Sequence, residues 1–322
     1  MRHTREELRQ FQALPLEAKV AKTKERITEF YNHYNGNVYL SYSGGKDSTV
    51  LMHLIKNTPG VYNVPVVYCD TGLEYPEVRA LALEHADVVL KPLMNFRQII
   101  KEKGYQVVSK AVAKNVDYAR KSGEESIYYK KLFGTFEYNG KPSIYNCERW
   151  SFLYGAPFLI SSKCCDEMKK KPAYRWERKS GRRPYIGTRA EEGANRETAW
   201  LHAGCNAYEN DRPQSRPLSF WLEQDVLRYI KENNIIIPSV YGEIVETEKQ
   251  VGFFDSAPKY ELTGVQRTGC IFCMFGCHIE PRPNRFERLK ETHPQLYAYC
   301  MKPYNEGGLG LDEVLNYMGV PH

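Results

Sequence analysis

The stretch Val38-Tyr39-Leu40-Ser41-Tyr42-Ser43-Gly44-Gly45-Lys46-Asp47-Ser48-Thr49-Val50-Leu51-Met52-His53-Leu54-Ile55 decides how the rest of the chain is read. Val38 to Leu40 is a short β-prone run. Val50, Leu51, Leu54 and Ile55 fall at helical spacing. Between them lie small residues, hydroxyls and Lys46. A strand, a glycine turn and a new helix make a phosphate cradle. Glycine lets the backbone approach an anion, and the helix start presents free N–H groups at the positive end of its dipole. Ser41, Ser43, Gly44, Gly45, Lys46, Asp47 and Ser48 are the candidate ligands. The Walker A pattern is not met, because position 40 is Leu and Lys46 is followed by Asp47.

The next segments repeat the pattern. Val64–Tyr68 reads as a strand buried on both faces. It ends in Cys69-Asp70-Thr71-Gly72, and a helix follows from Pro76 to about His85. Asp87–Leu90 is a short third strand. Pro184–Thr188 is another strand, running into Arg189 and Arg196. This alternation predicts an α/β fold with a doubly wound, mostly parallel, Rossmann-like sheet and its ligand at the carboxyl ends of the strands. Asp70, with Thr71 and Gly72, stands at one such end and suits ribose or Mg²⁺, or else a turn cap. Arg189 and Arg196 are candidates to approach one phosphate, with surface ion pairs to Glu191, Glu192 or Glu197 as the plainer reading.

Helices are expected over residues 5–34 with a break near Pro15, at Phe96–Lys103, Val112–Lys121 and Cys147–Tyr154, from Cys164 to about Lys171, and from an N-cap at Ser219 to about Asn233. Further helices fall at Asn284–Thr292 and Pro294–Lys302, with a last one ending near Tyr317. The expected organisation is a nucleotide-binding α/β domain over 1–235, with a helical insertion at about 96–160. A cysteine-rich region over 236–322 packs on it. The basic, tyrosine-rich run from Lys110 to Lys131 reads as a solvated helical face before a polynucleotide path.

The chain has 322 residues, 42% of them hydrophobic, and a formal net charge of +6, which suits an anionic substrate and permits nucleic acid. No apolar run is long enough to span a bilayer, and the charged start has no signal-like apolar core, so a cytoplasmic protein is expected. In a reducing compartment, nine cysteines point to metal or redox chemistry. Cys270, Cys273 and Cys277 form a Cys-x2-Cys-x3-Cys run that suits one metal centre. A fourth ligand would come from Cys164 or Cys165, with Cys205 in reserve. An iron–sulfur cluster is preferred, and zinc, with His278 available, is the alternative.

The Ser43–Ser48 string SGGKDS resembles the pyrophosphatase loop of the adenine-nucleotide α-hydrolase superfamily, whose members cleave ATP between the α and β phosphates. With the Asp70-Thr71-Gly72 turn, the Gly187-x-Arg189 segment and the Pro217-Leu218…Trp221…Asp225-Val226 helix, it is similar to the phosphoadenosine-phosphosulfate reductase family. The Cys164-Cys165 pair with Cys270-x2-Cys273 resembles the four-iron (4Fe-4S) site of adenylylsulfate reductases. An alternative set is Cys165, Cys270, Cys273 and Cys277. The resemblance implies an enzyme that uses ATP with Mg²⁺. Lys46, Asp47, Arg189 and Arg196 would serve catalysis. Adenylation would prepare an acceptor, nucleic acid being one candidate, for sulfur transfer from a donor such as a cysteine desulfurase. Family analogy also suggests a homodimer. The intact loop, and the lack of a Glu-Cys-Gly-type tail, favour ATP over a sulfate ester. The alternatives are a sulfonucleotide reductase working with a partner's thiols, using Cys300 or Cys205, and a nucleotide- or nucleic-acid-binding module without chemistry.

Overall fold

The computed structural model describes residues 2–209, 211–251 and 255–322. The chain forms two compact units from interleaved segments. The first comprises Met1–Asp70, Glu74–Lys91 and Ala173–Thr268; the second comprises Thr71–Leu73, Pro92–Pro172 and Gly269–His322.

The first unit is built on a six-stranded sheet. Its order is Val88–Leu90, Val66–Cys69, Val38–Tyr42, Arg183–Ile186, Gln214–Ser215 and Asn206–Ala207. All neighbouring pairs are parallel except the last, at the edge. Leu40 pairs with Val66 on one side and Tyr185 on the other. The chain thus winds outward from Val38–Tyr42 through two strands, then returns to its other side. That makes the boundary between Val38–Tyr42 and Arg183–Ile186 the topological switch point, where open α/β sheets bind ligands.

The apolar pattern explains the layers. Val50, Leu51, Leu54 and Ile55 of the helix Lys46–Lys56 are buried against the sheet. Pro15 separates the helices Arg5–Gln12 and Leu16–His33, and Leu16, Ile27 and Phe30 of the second are buried. Trp200, Trp221 and Tyr185 complete the core. Trp221 donates its indole N–H to Thr23 Oγ1 at 2.8 Å, and Lys19 Nζ meets Asp225 Oδ2 at 2.5 Å, both inside the protein. Asp225 closes the start of the helix Glu223–Glu232 by accepting from Leu222 N at 2.7 Å. The expected cap, Ser219, instead lies in the buried turn before it, because its own N–H is taken by Arg216 O. An antiparallel hairpin, Ile244–Val251 with Asp255–Leu262, occupies an interval where the sequence suggested no element. Its first strand, IVETEKQV, lacks a clean apolar alternation.

The second unit is mostly helical. Phe96–Lys103 forms as expected, and Lys110–Ser122, Arg285–Thr292, Pro294–Met301 and Leu311–Tyr317 lie close to their expected bounds. The helix expected at Cys147–Tyr154 is a 3₁₀ helix, Glu148–Gly155, and the segment after Cys165 begins as a π-helical turn, Asp166–Lys170, before Lys171–Ser180 continues as α-helix. This unit does not follow a linear split near residue 235. Val107–Val108 pairs in parallel with Met274–Phe275, and Tyr105 Oη donates to Leu309 O at 2.8 Å. These bonds tie the 96–160 segment to the cysteine-rich end of the chain, while residues 236–268 belong with the sheet. Arg120, counted in the basic run, donates to the carbonyls of Leu153, Tyr154, Ala156 and Phe158 and is a structural strut.

Candidate active site

The cradle forms where the sheet topology points. Gly44 has φ +74°, and a Cβ there would fall 2.5 Å from Val78 O, so only glycine fits. Gly187 sits at the end of the adjoining strand. A Cβ on it would lie 3.1 Å from Asp47 O and from Ser48 N and Cα, so the two strand ends meet closely. Ser43 Oγ and Ser48 Oγ are 3.0 Å apart, and Ser48 Oγ donates to Gly45 O at 2.8 Å.

Two buried cations converge there. Lys46 Nζ lies 3.1 Å from Glu223 Oε1 and 3.5 Å from Asp47 Oδ2, and donates to Gln266 O at 3.2 Å. Arg189 directs Nε to Asp47 Oδ1 at 2.5 Å and NH1 to Glu191 Oε2 at 2.6 Å, and its NH2 meets Glu223. Burial works against both charges, but Asp47 and Glu223 outweigh it and hold each cation above its ordinary range. Tyr241 closes the other side. Its hydroxyl accepts from Lys46 N at 3.2 Å and sits 2.6 Å from Thr268 Oγ1. Burial raises that phenol, with Lys46 acting in the opposite direction. Two cations thus face three carboxylates at a helix start, an arrangement able to take up phosphate oxygens once the acids yield.

The thiols gather within the second unit. Cys164 is pushed above the ordinary thiol range by burial first, then by the negative charge of Cys270, Cys165 and Cys273. Burial likewise raises Cys273, opposed by Arg285 and Lys169. Cys277 is held up to about 12, chiefly by burial, and donates to Met274 O at 3.0 Å. Among the described residues, no group of three or more His, Cys, Asp or Glu side chains is arranged to hold a single metal ion. The donor chemistry still suits an anionic, thiolate-held group. Cys165, Cys270 and Cys273 all lie within electrostatic reach of Cys164, and Lys169 and Arg285 supply compensating charge.

The phosphoadenosine phosphosulfate reductase domain matches residues 37–134 and 139–282. The chain belongs to that family. Sulfate adenylyltransferase subunit 2 of Shewanella frigidimarina (strain NCIMB 400) is 24% identical over 219 residues, which cover 64% of this chain and 60% of that relative. The chain thus spans less than two thirds of the relative's length. The phosphoadenylyl-sulfate (PAPS) reductase of Candida auris, solved as a phosphate complex, aligns over 80% of this chain and 99% of its own, with a TM-score of 0.39 at 16% identity.

In this family member, the residues singled out from sequence do not all meet. Lys46, Asp47 and Arg189 do. Arg196 instead pairs at 3.2 Å with Glu192 of the 3₁₀ turn that precedes its helix, the plainer of its two readings. Asp70 is gripped by Arg79 through two hydrogen bonds of 2.9 and 2.8 Å. Ser41 lies within the Val38–Tyr42 strand. Thr71 and Gly72 belong to the second unit, where Thr71 Oγ1 accepts from Leu73 N at 3.2 Å and Gly72 has φ +69°. Sequence reasoning missed Glu223, Tyr241, Gln266 and Thr268. Glu223 stood two residues before the quoted Asp225 and was open to notice; Tyr241 and Thr268 carry no local signal.

Proposed function

We propose that this protein is an ATP pyrophosphatase of its family that adenylates an acceptor for sulfur transfer. The observation that carries the reading is the convergence of Lys46 and Arg189, 143 residues apart in sequence, at the switch point of the sheet. An acceptor oxygen would attack the α-phosphorus. The bond from that phosphorus to the bridging oxygen breaks, and pyrophosphate leaves with the electron pair. Gly44, Gly45 and Ser48 would cradle the β- and γ-phosphates. Lys46 and Arg189 would take the charge that grows on the leaving pyrophosphate, a preorganised electrostatic role. Asp47 and Glu223, released from the two cations, would hold Mg²⁺, which neutralises phosphate charge when bound. Cys164, Cys165, Cys270 and Cys273 would hold an iron–sulfur cluster, which would supply or hold sulfide for the transfer.

The sulfate adenylyltransferase relative supports ATP as substrate, as does the intact SGGKDS loop. The family's description supports a second reading, reduction of a sulfonucleotide. That reading needs a nucleophilic thiol, and the two suggested from sequence suit the task poorly. Cys300 is buried, held up to about 12 by burial, and donates to Tyr297 O. Burial also raises Cys205. The deciding assay follows pyrophosphate from ATP and sulfite from adenylylsulfate in parallel. Pyrophosphate release that disappears in Lys46→Ala supports the proposal; sulfite release without ATP turnover refutes it.

A further inference from the structure

The second unit contains a cavity of about 700 Å³, distinct from the cradle. This is the size range of small-ligand sites. Val108, Trp150 and Phe275 supply apolar wall, and Lys110 and Arg149, both exposed, supply positive charge against Glu148. Two of its lining residues carry a buried polar atom with no hydrogen-bond partner: Asn146 Oδ1 and His278 Nδ1. The Asn146 amide is fixed in its orientation, because Nδ2 donates to Gly134 O at 2.9 Å and Phe136 O at 3.0 Å. Its oxygen is left unpartnered and shielded from solvent. Unmet buried polar atoms are rare, and both of these are shielded from the open space, so a ligand would have to shift the side chains to reach them. Val108, at the same cavity, adopts φ +58°, an uncommon conformation for a β-branched residue.

The surroundings say which ligand. Trp150 stands edge-on to His278 at 4.9 Å between centroids and lies under the Arg149 guanidinium at 5.3 Å. Beside Asn146, Tyr145 is 68% exposed and Ile144 is 90% exposed. Lys131 Nζ lies 5.6 Å from the Tyr145 ring centroid. Aromatic faces interleaved with cations, beside an open cavity with apolar walls, match a strand of unpaired bases. One base would enter the cavity, and its flanking phosphates would lie on Lys110, Lys131 and Arg149. We infer that this cavity binds one base of a single-stranded nucleic acid. The inference goes beyond the proposed ATP chemistry and does not require it. His278 follows Cys277 in the chain, so a base held there would lie beside the thiol-bearing segment.

The test is fluorescence anisotropy of labelled mixed-sequence 12-mers, DNA and RNA, without ATP, at salt from 50 to 200 mM. Duplex 12-mer and AMP or UMP are run alongside. Either single strand should bind more tightly than duplex or mononucleotide. Trp150→Ala should weaken binding about tenfold or more, and Trp150→Phe, which keeps a stacking face, should restore most of it. The double variant Lys110→Ala/Arg149→Ala should reduce the salt slope by about 1.4, roughly 0.7 per released phosphate contact. Both of these side chains are on the surface, so this variant keeps the test alive if Trp150→Ala unfolds, which thermal melting reports. The inference is overturned by absence of strand binding at 50 mM salt, by duplex binding as tight and indifferent to Trp150, or by a mononucleotide binding as tightly as the strand.

Discussion

Glu223→Gln offers the sharpest test of how the cradle is held without nucleotide. Glu223 meets both Lys46 and Arg189, and its side chain is 29% exposed. Lys46 and Arg189 stay charged in this variant and their bonds stay charge-assisted, so what is lost is the Coulombic share of each ion pair, on the order of 1 kcal/mol. Gln keeps an acceptor oxygen, so each cation loses about 1–1.5 kcal/mol of interaction. Partial hydration of Glu223 takes roughly half of that away. Over two cations the change is about 1–1.5 kcal/mol. An incoming anion no longer has to displace that much, so pyrophosphate should bind roughly tenfold tighter. The assay is titration calorimetry with sodium pyrophosphate in a chelating buffer, so that no divalent ion needs Glu223. Thermal stability should fall by only a few degrees, because Asp47 still holds both cations and a loss of about 1–1.5 kcal/mol moves the melting point of a chain this size little. In ATP turnover with Mg²⁺ the same variant should lose activity. Weaker pyrophosphate binding in the chelating buffer, comparable to that of Lys46→Ala, would refute the idea that Glu223 competes with the anion.

Gly44→Ala should cost about 2–4 kcal/mol, combining a left-handed backbone with a Cβ forced against Val78 O, and a shift in urea midpoint would read it. Cys273→Ser should cut the iron and sulfide content of anaerobically purified protein to near background. Unchanged content, or none in the wild type, would count against the proposed cluster at this thiol. Glu280 gives a pH signature. Burial, the largest influence, raises its pKa, but Arg285, 2.9 Å away, outweighs it and holds the carboxyl below the usual range. A depressed folded pKa means the stabilisation is complete at neutral pH and is lost as pH falls through that lower value. Glu280→Gln should therefore cost about 1–2 kcal/mol at pH 7, with the gap to wild type closing in urea titrations as pH falls below the ordinary carboxylate range. An equal gap at neutral pH and below that range would contradict the assignment.

The sheet was readable because its strands advertise themselves. VYLSY and VVYC are buried apolar runs followed by helical spacing, and such a pattern admits few topologies. The cradle was readable for the same reason, since a glycine with φ +74° and a cation at a helix start are local facts. What failed was non-local. Arg196 lies seven residues from Arg189, but a short 3₁₀ turn at Ala190–Glu192 and a new helix from Ala194 come between them. Asp70 has the right position after a strand, yet Arg79, one helical turn beyond Pro76, reaches back to it. The unit boundary failed because a two-residue pairing, Val107–Val108 with Met274–Phe275, leaves no periodic trace. Tyr241 entered the site from a loop whose sequence carries no chemistry-bearing pattern.

The carboxylates at the cradle carry a consequence for nucleotide choice. Lys46 and Arg189 bring two positive charges, while Asp47, Glu191 and Glu223 bring three negative ones. A site built only to attract phosphate would not surround its cations with an excess of acid. The surplus makes sense if phosphates arrive together with divalent metal. The metal would draw Asp47 and Glu223 away from the cations and leave Lys46 and Arg189 to the oxygens. Adenylylsulfate, with one negative charge on its phosphate and one on its sulfate, brings less charge and less metal with it, and would meet the acids still in place. On the proposed ATP reading, the same five side chains would discriminate in favour of a metal-bound polyphosphate, and discrimination should weaken as acids are removed. Glu191→Gln, in which Arg189 loses only an acid that is 42% exposed, is the mildest such change. It should narrow the preference for ATP with Mg²⁺ over adenylylsulfate without abolishing turnover. Competition binding of the two nucleotides measures it, and a preference that widens would reverse the argument.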